Sequence, residues 1–488
     1  MNRRHILGVV VLAGLSASAW AQSELARFQR QLEQIHRETQ YLAREDVPPE
    51  QRALIDYGGF ITFNFAAIDD QDQSTHILRQ STLNGYARVN IDGVHEFFVR
   101  GRTSYLDWNR GDSFDEHGDD LVEPTLDRGH YRFNLKRSGE AYEGRTMDGN
   151  LIIQGGRQLV HWANGITLSH EIDGAQFTVS MGSLSLQTVA GITRESSTDL
   201  DSSRPKFSSD TRRGFYGGML GYQVSPRHQP FVYGLVQRDY NNDQTLVSDV
   251  LGTPGDATDD VSTEFDYDSH YIGAGSTGSL GDRLLYGVEA VYQGGEGLSN
   301  SFDPTSGAQL IQTREDIEAF AVDFRLDYLL TDPNRTRLGV EVVIASGDDD
   351  RFLGTTTTLG GNRPGTNDEA FNAFGLINTG LAFNPSVSNL LMLRFGASTF
   401  PMPNSSLFQN LQVGTNLFVY NKMDDNAPID EATSNKKYLG FEPDLFVNWQ
   451  VTSDLSVTMR YGVFFPSSSI ATDIDPRHFV FTGITIAF

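Results

Sequence analysis

The chain has 488 residues, 63 Asp and Glu against 38 Lys and Arg, a formal net charge of -25 and no cysteine. That acidic balance excludes a phosphate-binding nucleic-acid surface, and the missing cysteine excludes a disulfide framework, a lipid-anchored lipoprotein start and thiolate chemistry. No run of about 20 apolar residues occurs, so a helical membrane protein is excluded as well.

Residues 1–21 carry Arg3 and Arg4, an apolar stretch from Ile6 to Leu15, and the small-x-small triplet Ala19-Trp20-Ala21. This order predicts a signal peptide cleaved before Gln22. Residues 22–50 follow as a periplasmic helical arm. Leu25, Phe28, Leu32, Ile35, Thr39 and Leu42 recur at spacings of three and four, with Ser23 to cap the helix and Val47-Pro48-Pro49 to stop it. Such a seam fits a short coiled coil that binds a periplasmic protein partner, or a second copy, through residues 23–46. It fits equally a helix resting on, or partly inside, the periplasmic end of a barrel, and the sequence leaves both readings open.

From Tyr57 the period changes to two. In YARVNID, Tyr86, Arg88 and Asn90 alternate with Ala87, Val89 and Ile91; HYRFNLK continues the pattern through Lys136. In AVDFRLDYLL, Val322, Phe324, Leu326 and Tyr328 oppose Asp323, Arg325 and Asp327. Strands with one apolar and one charged face, together with 48 glycines, 31 phenylalanines and 18 tyrosines, suit a transmembrane barrel. Short turn signals, among them Asp92-Gly93, Leu280 to Asp282 and Asn384 to Val387, take turns with long polar segments such as 107–127, 348–370 and 401–435. Only the 138–149 connection is longer than a periplasmic turn should be. The expected fold is all-β: a single antiparallel outer-membrane barrel over 57–488, of about eighteen strands. HFVFTGITIAF, with Ile484, Ile486 and Phe488 in phase, reads as the closing strand that pairs the sheet's last edge to its first. Bacterial outer-membrane lipid and lipopolysaccharide are the expected surroundings.

Enzyme motifs are weak. His95-Glu96-Phe97-Phe98-Val99 lacks the second histidine of a zinc protease and sits in a strand pattern. Gly273-Ala-Gly275-Ser-Thr-Gly278 has the letters of a dinucleotide fingerprint, but no helix follows. His161 and His170 have no serine at a recognisable spacing. No enzyme activity and no cofactor are expected. Acidic clusters in the long connections, including Asp348, Asp349 and Asp350, read as solvated loop tips or as weak divalent-cation sites facing lipopolysaccharide. The alternation places Arg88, Arg100, Arg102, Arg132, Lys136, Arg325, Arg394 and Arg460 in the lumen with Asp323, Asp327, Glu289 and Glu341. Arginines inside a low-dielectric tube concentrate anions even in an acidic protein. The same charges can instead pair to brace the wall, as Arg325 would between Asp323 and Asp327.

LIIQGGRQLVHWANG, with Gly156-Arg157-Gln158, followed by EIDGAQFTVSMG, resembles the alginate-export family of outer-membrane barrels, as does Ala345-Ser346-Gly347-Asp348 in EVVIASGDDD. The resemblance covers about 57 to 488 and not the arm. It implies an eighteen-stranded barrel, a narrow arginine-lined passage for a polyuronate, and Arg157 as a constriction residue. The function expected is a channel for an anionic polysaccharide or oligosaccharide, directed outward. A general or uptake porin for small solutes and a barrel that recruits a partner through its arm are the alternatives.

Overall fold

The computed structural model describes Gln31 and residues 53–488 except 202–203, 205–210, 242–245, 250–259, 302, 304–307, 353–361 and 471–474. The signal peptide and all of the arm but Gln31 lie outside the described residues.

In chain order the elements are β1 (Ala53–Asp69), β2 (Thr75–Ile91), β3 (His95–Trp108), β4 (Asp120–Asn134), α1 (Leu135–Glu143), β5 (Gly149–His161), β6 (Ser169–Met181), β7 (Leu184–Thr193), β8 (Arg213–Tyr222) and β9 (His228–Asp239). A small hairpin of β10 (Leu246–Asp249) and β11 (Asp260–Thr263) follows. The wall resumes with β12 (Tyr267–Leu280), β13 (Leu284–Leu298), β14 (Arg314–Leu329), β15 (Arg337–Ala345), β16 (Leu390–Thr399), β17 (Leu411–Asn421), β18 (Tyr438–Gln450), β19 (Leu455–Pro466) and β20 (Arg477–Ala487). Apart from the hairpin, these strands form one 18-stranded sheet in which each pairs antiparallel with its neighbours. β20 also pairs with β1, Ile484 opposite Phe63, which closes the barrel. Closure is what hydrocarbon demands, because an open sheet edge would leave amides without partners.

The pleat sorts the side chains. On β1, exposed Phe63 and Phe65 alternate with buried Thr62, Asn64 and Ala66; on β14, exposed Phe320, Phe324 and Tyr328 share the lipid-facing side. One end of the barrel has short turns, and Ala53 and Ala487 lie there. The other end has the long connections. By the usual rule the short end is periplasmic.

Three expectations are corrected. β4 stops at Asn134, whose side chain accepts the Arg137 N–H at 3.2 Å and caps α1; Lys136 therefore sits in the first turn of a helix at the periplasmic end, not on a lumenal strand. That helix is what lengthens the 138–149 connection. Asn384 to Val387 is no periplasmic turn but part of the 346–389 connection. Conversely, 401–435 is not one outer loop: it holds the turn at 400–410 and all of β17.

The interior is filled by two connections folded inward. The 162–168 loop and the 370–384 part of the long loop interlock: Ser169 N donates to Phe374 O at 2.7 Å, and Leu376 N to Gly165 O at 2.9 Å. A Cβ on Gly375 would lie 2.0 Å from Ile166 O, so only glycine permits this approach. Around this crossing Trp162, Leu168, Phe215, Tyr271, Phe371, Phe374 and Phe383 form an apolar core within the barrel.

Candidate functional site: the charged lumen

Arg88 on β2, Arg100 and Arg102 on β3, and Arg132 on β4 all take the inward phase, opposite exposed Phe97, Val99 and Tyr131. A bulge in β4 after Leu126 lets Asp127 reach two of them. Arg100 donates from Nε to Asp127 Oδ2 at 2.5 Å, and Arg102 Nη1 lies 3.8 Å from Oδ1. Nearer the periplasmic end, Glu96 has Arg88 Nε and His130 Nε2 each at 3.7 Å. Arg128 stands opposite Arg100 across the β3–β4 ladder. Arg128 meets Glu171 on β6 at 3.6 Å, so on this stretch of wall five arginines, Arg88, Arg100, Arg102, Arg128 and Arg132, stand among three carboxylates. The Arg102 side chain is 37% exposed, the most open of the ion-paired members. The aromatic faces of Tyr86, Phe98 and His130 lie along the same track, with ring centroids 6.4 and 5.4 Å apart.

The second group of lumenal charges is balanced differently. Arg325 on β14 meets Asp323 at 2.9 Å and Glu341 on β15 at 2.5 Å, and Arg394 on β16 meets Glu341 at 2.7 Å. The bracing partner of Arg325 is therefore Glu341 rather than Asp327, which binds Arg337 at 2.8 and 2.6 Å instead. Cross-strand neighbours explain this, since Arg325 lies opposite Glu341 in register. Arg325 also donates to Asn164 O at 2.9 Å, Asn164 N donates to Glu289 at 2.8 Å, and Tyr233 donates to the other Glu289 oxygen at 2.6 Å. This cluster anchors the 162–168 loop. Arg460 on β19 is 4% exposed, donates to Val447 O and Met459 O, and lies over the Phe446 ring at 5.4 Å.

Arg157 does not join these groups. It shares the outward phase of Ile153 and, across β6, of exposed Phe177; Asp173 grips it with both oxygens at 2.7 and 2.6 Å, and it donates to Leu126 O at 2.7 Å. The expectation that it lines the constriction is corrected, because Gly155 and Gly156 hid the phase of β5 in the sequence.

Glu442 on β18 is a residue the sequence reading missed. It is fully buried and accepts the N–H groups of Leu381, Ala382 and Phe383 at 2.5, 2.7 and 2.8 Å, holding the tip of the long inward loop against the wall. A carboxylate in the strand LGFEPDL, beside a proline, was the available signal.

Asp348, Asp349 and Asp350 offer oxygens within 4.8 Å of one another. Asp348 is nevertheless occupied by Arg351 Nε at 2.7 Å, so the cluster is partly neutralised from within. Burial, reinforced by Asp368 and opposed by Arg351, pushes the Asp348 carboxyl up to about 6. His161 and His170 do find serines, Ser169 at 2.7 Å and Ser197 at 2.8 Å, pairings that sequence spacing did not reveal.

A closed eighteen-stranded wall with an apolar belt, a charged lumen and inward loops defines an outer-membrane β-barrel of the channel class. The sequence matches the family described as alginate export over residues 131–475, and the chain belongs to that family. The match starts within β4, later than the resemblance at 57 suggested. No curated protein is matched by the sequence. Among solved structures, Pseudomonas aeruginosa OccK5 (OpdH) is similar at 11% identity and a TM-score of 0.50, covering 89% of this chain and 98% of that one. Acinetobacter baumannii OccAB1 is similar at 11% identity and a TM-score of 0.50, covering 89% and 96%. At such identity these two speak for the fold alone.

Proposed function

We propose that the barrel passes an anionic polysaccharide or oligosaccharide of the uronate kind outward across the outer membrane. The observation that supports this most is the β2–β4 wall, where Arg88, Arg100, Arg102, Arg128 and Arg132 outnumber Glu96, Asp127 and the Glu171 carboxylate that Arg128 meets at 3.6 Å. Guanidinium forks match carboxylates, aromatic faces accept the apolar faces of sugar rings, and several weak sites in series let a polymer advance where one tight site would hold it. The outward direction rests on the family's description, since a passive pore follows whatever gradient is imposed. Arg325 and Arg394 serve chiefly as braces for the inward loops. No catalytic role is assigned to the serine–histidine pairs.

Reversal potentials across planar bilayers in a salt gradient test this reading. Anion preference in the wild type, lost in Arg100→Ala/Arg102→Ala/Arg132→Ala, is the expected result; a cation-selective wild type would overturn it. A pore with no preference, equally open to neutral and anionic saccharides, would favour the small-solute porin instead.

A further inference from the structure

Beyond the arginine track, at the long-loop end of β2 and β3, the inward side of the wall carries His76, Leu78 and Trp108. Trp108 is the third inward position past Arg102. The connection that follows β3 folds back onto this wall: Phe114 is 6% exposed, its ring stacked on His76 with centroids 4.2 Å apart and set edge-on to Trp108 at 5.6 Å. Ser113 beside it is buried, while Asp115, Glu116 and His117 stay exposed. Segment 112–117 therefore lies over the outer end of the wall that holds the arginines.

His76 faces an acceptor at each ring nitrogen. Nδ1 lies 2.5 Å from the Asp112 carbonyl oxygen, and Nε2 lies 2.9 Å from Asp70 Oδ2. A carbonyl oxygen can only accept. The Asp70 carboxylate is an acceptor as well: its Oδ1 takes the N–H groups of Asp72 and Ser74 at 2.9 and 2.8 Å. Burial would raise the Asp70 carboxyl, but His76 and these amides outweigh it and hold the group below its ordinary range. Two acceptors require two donors, and only the doubly protonated imidazolium supplies both. A neutral ring would turn a lone pair toward one oxygen or the other. Asp70 on the β1–β2 turn and Asp112 on the β3–β4 connection are the charged groups that face the ring; Phe114, stacked on it, carries none. Gly111 and Gly118, with φ of +89° and +78°, bracket the segment and give it two hinges.

We propose that His76 is a proton-controlled latch: its imidazolium ties segment 112–117 across the outer end of the arginine-bearing wall, and loss of one proton releases the segment and opens the passage there. Imidazole changes charge between about pH 5 and pH 8, so the latch is closed at the acid end of that range and open at the alkaline end. The Asp112 side chain accepts the Ile77 N–H at 2.9 Å and keeps the base of the segment on the wall, so the motion is that of Phe114 and its neighbours. The latch concerns opening of the pore for any solute, and it stands or falls separately from the uronate reading.

The chain has no cysteine of its own, so a single introduced thiol reports the segment. In the full-length barrel, a membrane-impermeant maleimide should label buried Ser113→Cys slowly at pH 5.5. Its rate relative to exposed Asp115→Cys, which corrects for thiol ionisation, should rise at least fivefold by pH 8.5. In a His76→Gln background the ratio should be high at both values. Single-channel conductance of the cysteine-free wild type should rise at least twofold over the same range, and that of His76→Gln should not change with pH. A constant labelling ratio, a pH response that persists in His76→Gln, or labelling that changes while conductance does not would each overturn the latch. Should His76→Gln fail to assemble, labelling and conductance with His76 in place decide the matter.

Discussion

Gly59 and Phe488 exchange both backbone hydrogen bonds, each 2.9 Å long, so the terminal residue extends the β1–β20 seam that closes the barrel. A Cβ on Gly59 would meet Asn84 O at 2.7 Å and the Phe488 ring at 2.8 Å. The aromatic ring therefore lies on a glycine because no larger residue leaves it room.

Gly59→Val should destabilise the seam by about 1–3 kcal/mol, the usual range for overpacking. Deleting Phe488 removes the final bond pair, and a smaller fraction of the barrel should reach the folded state. The heat-modifiable band in denaturing gels measures both effects, and wild-type folded fractions in both variants would contradict the role given to this pair.

Glu442→Ala should leave three buried amides without an acceptor. At about 1–3 kcal/mol for each unsatisfied buried group, the loop tip should leave the wall. The readouts are faster proteolysis between 375 and 390 and noisier single-channel currents, with Glu442→Gln intermediate because it keeps a carbonyl acceptor.

Asp127→Asn and Arg100→Ala/Arg102→Ala should move ion selectivity in opposite directions. The first removes the charge that partly neutralises two arginines and should raise anion preference; the second should lower it. Reversal potentials separate the two, and a shift in the same direction for both would show that Asp127 and its arginines do not set the field in the pore.

Asp348 gives a pH dependence with a definite sign. Its carboxyl is raised to about 6 in the folded loop from 3.8, so the folded loop binds the proton more tightly than the unfolded one. The loop should be most stable below about pH 4 and lose stability as pH rises through 6, by up to about 3 kcal/mol. Hydrogen exchange of residues 346–352 should slow between pH 7.5 and pH 4.5 once intrinsic rates are divided out, and Asp348→Asn should flatten the change.

Much of the wall was legible because a period of two is written into each strand: Phe324 against Arg325, and Ile486 against its neighbours, report their faces without further information. The inward loops were not legible. Phe371, Phe374, Ile377 and Leu381 recur at spacings of three, three and four that imitate a helix, yet they pack as irregular backbone, and Asn384-Pro385 imitates a turn. Lys136 was misplaced because Asn134 reads as a strand residue until its side chain is seen to cap α1. The site was half legible: alternation placed Arg88, Arg100 and Arg102 correctly, but their shared partner Asp127 depends on a bulge that the sequence does not announce.

The most direct test of the central claim is current block by uronate oligomers. With the wild-type pore in a planar bilayer, an oligouronate added to the periplasmic side should interrupt the current at concentrations at which a neutral glucan of equal length does not. The interruptions should shorten at least tenfold in Arg100→Ala/Arg102→Ala/Arg132→Ala. Equal block by the neutral glucan, or interruptions that keep their length without those arginines, would contradict the account.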